Sequence, residues 1–219
     1  ARHFLNQPRS ARGRKKANDA AVLHPVAQRD YARDMPGLVA QLRDADTSVR
    51  RWAARDLAPC PDAARALGSA LAAEADSSVR EALFTSLSII GGVDAVDALL
   101  PLLRSEDAAL RNGAIEGLSH LPEVVGPRIE ALLKDADPDV RIFTVNLLGE
   151  LRHPKVCDWL CQVLEQEAAI NVVGAAVEVI TEIGRHEHLP ALTAAAARFA
   201  DDPFTAFAIG IARTQIEAS

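Results

Sequence analysis

Apolar and small side chains recur along this chain at intervals of three, four, seven and eight residues, without the strict alternation of a half-buried strand. Examples are Val140, Thr144, Val145 and Leu148, then Val172, Ala176, Val177 and Ile180, then Phe204, Ala208, Ile209 and Ala212. That spacing is one stripe of an α-helix. Ahead of each such helix the pattern predicts another that ends in an apolar pair, as at Leu102-Leu103, Leu132-Leu133 and Val163-Leu164. Prolines and glycines separate the two: Pro59 and Pro61, Gly91-Gly92, Pro122, Pro154 and Gly184. Proline fits a helix start and glycine a helix end. The unit is helix, short turn, helix, short loop, and no segment reads as a strand.

The unit repeats. Asp46-x-x-Val49-Arg50, Asp76-x-x-Val79-Arg80, Asp107-x-x-Leu110-Arg111 and Asp137-x-x-Val140-Arg141 stand at steps of 30, 31 and 30 residues. Two degenerate copies follow at further steps of 32, beginning at Ala169 and Asp201. They lack the Arg, and the first lacks the Asp, which suits a C-terminal cap. A carboxylate at a helix start accepts from the free amides of the first turn and suits the helix dipole. The Arg four residues on is placed to reach the Asp of a neighbouring unit. The pattern therefore predicts a structural ladder of Asp46, Arg50, Asp76, Arg80, Asp107, Arg111, Asp137 and Arg141. Within it, Arg111 is expected between Asp107 and either Asp76 or Asp137, with Arg104 at an exposed helix end.

These units, and segments such as DADPDVRIFTVNLLGELRHPKV, resemble the HEAT-like repeat family of the phycobilin-lyase type over roughly residues 36–217. The resemblance and the period together imply an all-α fold. It is expected to be a right-handed α-solenoid of about six helical hairpins, an armadillo-type superhelix, over residues 25–219. A single hairpin carries apolar surface on both sides, and stacking buries it in one continuous seam. The resemblance says little about function, because solenoids of this kind include scaffolds, lyase subunits, hydroxylases and DNA glycosylases.

Composition narrows the class. With 49% hydrophobic and 25% charged residues the chain is not wholly disordered. No apolar run approaches the roughly 18–20 residues of a membrane span. Three cysteines make no disulfide framework, which favours a reducing cytoplasm. Arg outnumbers Lys 20 to 4 amid abundant Ala, a mark of a GC-rich bacterial source. Residues 1–17 carry Arg2, Arg9, Arg12, Arg14, Lys15 and Lys16 and no acid, so residues 1–24 are set apart as a basic arm. The remaining 202 residues hold 18 basic and 30 acidic groups, a charge of −12. Such an arm can meet nucleic acid, an acidic partner or the body itself, but a solvated tail is the plainer expectation.

Candidate chemistry is sparse. The resemblance extends to a hydroxylase family that binds iron through repeated His-Glu pairs, but this chain has one such pair, His186-Glu187. His120, His153 and His186 fall near successive turns, where solvent-facing histidines are expected. Cys157 and Cys161 share one helix face beside Trp159, too few ligands for a metal. Cysteine is more often a small buried apolar residue. No phosphate-binding loop or nucleophile elbow occurs. No catalytic residue, metal ligand set or cofactor is nominated.

In solenoids of this type the concave side is expected to be lined by the helix lying ahead of each anchor, here spans 60–73, 92–104, 122–134, 153–166 and 186–199. These spans hold six basic and eight acidic residues, which argues against nucleic acid in the groove. Off their apolar stripes lie Arg65, Asp97, Arg128, Glu130, Asp158 and Gln162, the candidate partner-binding residues. The expected function is a non-enzymatic scaffold whose concave face binds another protein, with no membrane involvement. The alternative is a lyase-type or chaperone subunit handling a tetrapyrrole or metal cofactor on a partner protein, with Cys157, Cys161, Trp159 and His153 as its place. The partner's identity and the oligomeric state are open.

Overall fold

The structure, a computed structural model, describes residues 32–218, and the basic arm assigned to residues 1–24 lies outside them. Every regular element among the described residues is helical. Six hairpins follow one another: α1 (Met35–Gln41) with α2 (Thr47–Leu57), α3 (Ala64–Ala73) with α4 (Ser77–Ile90), and α5 (Gly92–Leu99) with α6 (Ala108–Ser119). Then come α7 (Pro122–Leu132) with α8 (Pro138–Glu150), α9 (Val156–Gln166) with α10 (Ile170–Ile183), and α11 (Leu189–Arg198) with α12 (Pro203–Glu217). Short 3-10 turns precede α3 and α11 and follow α5. Among the described residues no helix is long and apolar enough to cross a membrane.

The second helices begin where the carboxylates stand. Asp46 accepts from the Ser48 amide at 2.7 Å, Asp76 from Ser78 at 2.9 Å, Asp107 from Ala109 at 2.8 Å and Asp137 from Asp139 at 2.9 Å. Ala169 adopts the same extended backbone before α10 without a side chain to cap it. The last unit departs from the sequence expectation by one residue. Its cap is Asp202, which accepts from the Thr205 amide at 2.7 Å, because Pro203 fits the first helical position and holds its predecessor extended. A shift of one residue turns the helix by about 100°. Thr205, Ile209, Ala212 and Ile216 therefore face inward, and Phe204, expected in the buried stripe, is 81% exposed.

The second helices pack in series from α2 to α12, each against the next. Their buried stripes, such as Val79, Leu83 and Leu87 on α4, join those of the first helices in one continuous core. Among the first helices, α3 packs on α5, α5 on α7 and α9 on α11, but α7 and α9 barely touch. A side chain fills the step between them. His153 stacks on Trp159 with ring centroids 4.8 Å apart and lies over Gly126, where a Cβ would come within 3.1 Å of its Nε2. Gly91, at φ 61°, makes the turn from α4 into α5 that other residues would resist.

The arginines at the fourth position of α2, α4, α6 and α8 all fold back to a carbonyl six residues earlier. Arg50 donates to Asp44 O at 2.9 Å, Arg80 to Glu74 O at 2.6 Å, Arg111 to Ser105 O at 2.6 Å and Arg141 to Asp135 O at 2.7 Å. Arg80 keeps the forward partner that the ladder predicts, and the other three differ. Arg50 forks onto Glu74 (2.7 and 3.0 Å) and Arg141 onto Glu167 (2.7 and 3.1 Å), acids two residues ahead of the next cap position. Where Ser105 takes that position, Arg80 reaches the cap itself, Asp107, at 2.8 Å.

Arg111 makes no ion pair among the described residues. Arg104 pairs instead with Asp135 and lies 3.8 Å from Asp137, so Arg111 lies over the Phe143 ring, 4.8 Å from its centroid. The expected placement of Arg111 between aspartates gives way to this exchange, while Arg104 does stand at an exposed helix end, its side chain 53% exposed but paired.

The forks also order the loops they reach. Glu74 accepts from the Ala75 and Asp76 amides at 3.0 and 2.9 Å, and Glu167 from the Ala169 amide at 2.7 Å. The Arg50 guanidinium holds the Glu74 carboxyl below the usual carboxylate range against the opposing effect of burial. Burial works most strongly against ionisation of Glu167, and the Arg141 hydrogen bonds and charge outweigh it only together with the Ala168 and Ala169 amides, leaving the carboxyl below its usual range.

Removing Arg50 leaves a nearly buried carboxylate unmatched, so Arg50→Ala is expected to cost about 2–3 kcal/mol. Arg111→Ala strands no acid and should cost about 1 kcal/mol. Thermal unfolding of the two variants at neutral pH checks the order. Because Glu74 and Glu167 ionise more readily folded than unfolded, their contribution is complete above about pH 5 and lost as pH falls through their folded-state values. The melting temperature should therefore hold level from pH 7 to about 5 and then fall, less steeply in Glu74→Gln.

Candidate functional site

The first helices bury one face and leave the other to solvent, and the candidate residues follow from that division. On α3, Leu67, Gly68 and Leu71 turn inward and Arg65 outward. On α5, Ala95, Val96 and Leu99 are buried and Asp97 is exposed. On α7, Val125 and Ile129 are buried while Arg128 and Glu130 are exposed. On α9, Trp159, Leu160 and Val163 are buried while Asp158 and Gln162 are exposed.

The six residues fall into two groups and one outlier. Arg128 reaches from α7 to α5 and pairs with Asp97 at 3.0 Å, both side chains about half exposed. Asp97 and Arg65 line a cleft of about 590 Å³ between α3 and α5, which also takes in Asp62, Ser69 and Asp94. Glu130 and Gln162 line a second cleft, of about 340 Å³, where α7 and α9 stand apart. Leu133 and Val163 supply apolar surface there, and Lys134, Gln166 and the Arg141–Glu167 pair supply charge and hydrogen-bonding groups. Asp158 lines neither cleft.

Several cleft residues were not singled out from the sequence. Asp94 lies three residues before Asp97, Lys134 four after Glu130, and Gln166 four after Gln162. Each thus neighbours a candidate on the same helix face, and helical spacing applied to the candidates themselves finds them.

The thiols and histidines are placed for structure. Cys60, Cys157 and Cys161 are free and half-buried. Burial, then the neighbouring Asp158 charge, pushes the Cys157 thiol up, and burial with Glu165 pushes Cys161 up to about 11. Both are protonated and poorly nucleophilic near neutrality. Trp159, grouped with them in the sequence reading, is 3% exposed and belongs to the core.

Each turn histidine does local work or none. His120 bonds the Glu116 carbonyl through Nδ1 at 2.7 Å, and His188 accepts from the Arg185 amide at 2.8 Å. His186 is exposed. Among the described residues no three His, Cys, Asp or Glu side chains converge as a metal site. Thiol alkylation should accordingly be slow at pH 7. The Cys161 rate should rise about tenfold per pH unit through pH 9, as thiolate forms well below a value near 11. Alkylation followed by peptide mass mapping at each pH measures it.

Comparison with known proteins adds the family. The HEAT repeats pattern matches residues 35–119 and 126–209. The bilin biosynthesis protein PecE of Mastigocladus laminosus is 31% identical over 151 residues, covering 67% of this chain and 56% of that protein. The chain thus spans little more than half the length of this relative. Among solved structures, the archaeal HEAT-like repeats protein of Thermococcus onnurineus NA1 aligns with 84% of this chain and 87% of its own, at 14% identity and a TM-score of 0.41. The complex of CpcE and CpcF of phycocyanin lyase from Nostoc sp. PCC7120 aligns with 88% and 97%, at 18% identity and a TM-score of 0.36. With its repeat pattern matched over most of its length and its helical hairpins stacked in series, this chain belongs to the HEAT repeat family.

Proposed function

We propose that this chain is a non-enzymatic HEAT repeat module that presents the exposed row of its first helices to another protein, in the cytoplasm. The observation that carries this reading is a series of clefts between successive first helices, at α1–α3, α3–α5 and α7–α9. Their lining includes Arg65, Asp94, Glu130, Lys134 and Gln162, whose side chains form no hydrogen bond or ion pair among the described residues. Fold stability asks nothing of these groups, so they are free to meet a partner. Acids outnumber bases in the α3–α5 cleft, with Asp62, Asp94 and Asp97 against Arg65, which favours a protein surface over nucleic acid there. The clefts combine apolar lining residues with charged ones, which suits side chains of a folded or extended polypeptide.

A second reading is favoured by the relative named a bilin biosynthesis protein. In it, the chain is a lyase-type subunit that holds a carrier protein while a tetrapyrrole is attached or removed. The same row of helices serves that role, with the carrier as the partner. The protonated, half-buried thiols of Cys157 and Cys161 and the buried Trp159 speak against the chromophore site suggested by their sequence neighbourhood.

Affinity capture from the native host, with the purified chain as bait, tests the first reading. Arg65→Glu or Glu130→Arg should reduce recovery of the partner at least tenfold, because like charges meeting across an interface are penalised. Both positions are exposed, so melting temperatures should hardly move. Deleting residues 2–16 should leave recovery intact. Binding that survives the charge reversals but is lost with Arg12, Arg14, Lys15 and Lys16 neutralised would overturn the proposal in favour of the arm. Visible absorption carried by the captured partner, or acquired by the chain with free bilin, separates the second reading from a colourless scaffold.

A further inference from the structure

The outward face of α12 departs from the pattern of the helices before it. The outward positions two, five and nine residues after the cap are occupied in α4 by Ser78, Glu81 and Thr85, and in α6 by Ala109, Asn112 and Glu116. In α8 they are Asp139, Ile142 and Asn146, and in α10 Asn171, Gly174 and Glu178. In α12 the same positions are Phe204, Phe207 and Ile211, exposed to 81%, 68% and 50%. At 100° per residue the three lie within about 60° of one another, a single stripe two turns long. Thr214 and Gln215 continue it toward the C-terminal end, and no charged residue interrupts it.

From this stripe we infer that α12 is the interface of a homodimer, packed antiparallel against α12 of a second copy. Two features select a second copy as the occupant. The first is charge. Every earlier outward stripe from α4 to α10 carries an acidic residue and would repel its own image, whereas the α12 stripe is neutral and meets itself without penalty. The second is symmetry. A two-fold interface must be self-complementary, and an antiparallel pair centred between residues 207 and 208 sets Phe204 against Ile211 of the copy. The two Phe207 rings then meet at the axis. The exposed part of the three side chains amounts to on the order of 400 Å² per copy, taking ordinary areas for such residues. A standard interface buries roughly 800 Å² per partner, so the rim supplies the rest and the affinity should be micromolar. The stripe lies on the second-helix row, so the inference does not rest on the role proposed for the first helices.

Sedimentation velocity of the full chain from about 1 to about 200 μM brackets a micromolar dissociation constant. A shift from monomer to dimer is expected in that range, and it should vanish in the double variant Phe204→Ser, Phe207→Ser. A chain that stays monomeric at every concentration would assign the stripe to some other partner and overturn the inference. So would a dimer that survives the double variant. The decisive arm uses the axis position alone, where an exposed side chain can change without touching the core. Phe207→Glu and Phe207→Lys should each be monomeric with unchanged far-ultraviolet dichroism, and their equimolar mixture should sediment as a dimer. A mixture that remains monomeric would remove the second copy from the stripe, whatever the double variant does.

Discussion

A helical hairpin with apolar residues on two sides cannot hide them alone, and this molecule is organised by the need of each hairpin for the next. The second helices meet that need most fully, packing in series from α2 to α12. Hydrophobic contact is non-directional, however, and would tolerate sliding of one unit over another. The arginines on α2, α4 and α8 remove that freedom. Each binds a carbonyl of its own loop behind and an acid of the next unit ahead, so a slip of one residue would break several directional bonds at once. Apolar packing supplies most of the cohesion and the forks fix the register.

The forks are not uniform, and the variation has a local cause. An acid two residues ahead of the cap receives the fork in two units. A serine there sends Arg80 onward to Asp107, and the competing claim of Arg104 on Asp135 sends Arg111 to an aromatic ring. An arginine whose planar face can stack tolerates the loss of its acid better than a lysine would. The clasp therefore persists through substitutions that would abolish a simple ion-pair ladder, keeping its backward bond in all four cases. In the last two units Val173 and Ala206 stand where the arginine would be, and there Arg198 of α11 supplies the directional contact instead, donating to the Leu164 carbonyl at 2.8 Å and to the Glu167 carbonyl.

How much could be read from the chain follows from the range of each interaction. The cap at Asp76 and the stripe Val79, Leu83 and Leu87 are set within one helix, so sequence spacing suffices to find them. The partner of Arg111 depends on whether a residue from another stretch of chain, Arg104, arrives first at Asp135, and no local pattern carries that information. The register of α12 turned on Pro203, a local signal outweighed in the sequence reading by the continued 32-residue step to Asp201. For the candidate site, exposure of Arg65, Asp97, Glu130 and Gln162 followed from helical periodicity. The grouping into two clefts did not, because it depends on the gap between α7 and α9, filled by His153 in the angle of a turn.

These constraints also decide where function can reside. Residues that join units are committed: changing Arg50, Glu74, Arg141 or Glu167 alters the register of the stack, so they are poor places for partner recognition to evolve. Two surfaces escape that commitment. The exposed row of the first helices carries charged groups such as Arg65, Asp94, Glu130 and Lys134 whose side chains form no ion pair among the described residues, and the outward stripe of α12 carries apolar groups that the fold leaves uncovered. Charged, partly apolar clefts favour selective and reversible contact, since their polar groups remain solvated when no partner is bound. An uncharged apolar stripe favours a lasting contact, because leaving it in water carries a continuing cost. The two proposed surfaces thus differ in character on one scaffold, the first suited to exchangeable partners and the second to a constant companion.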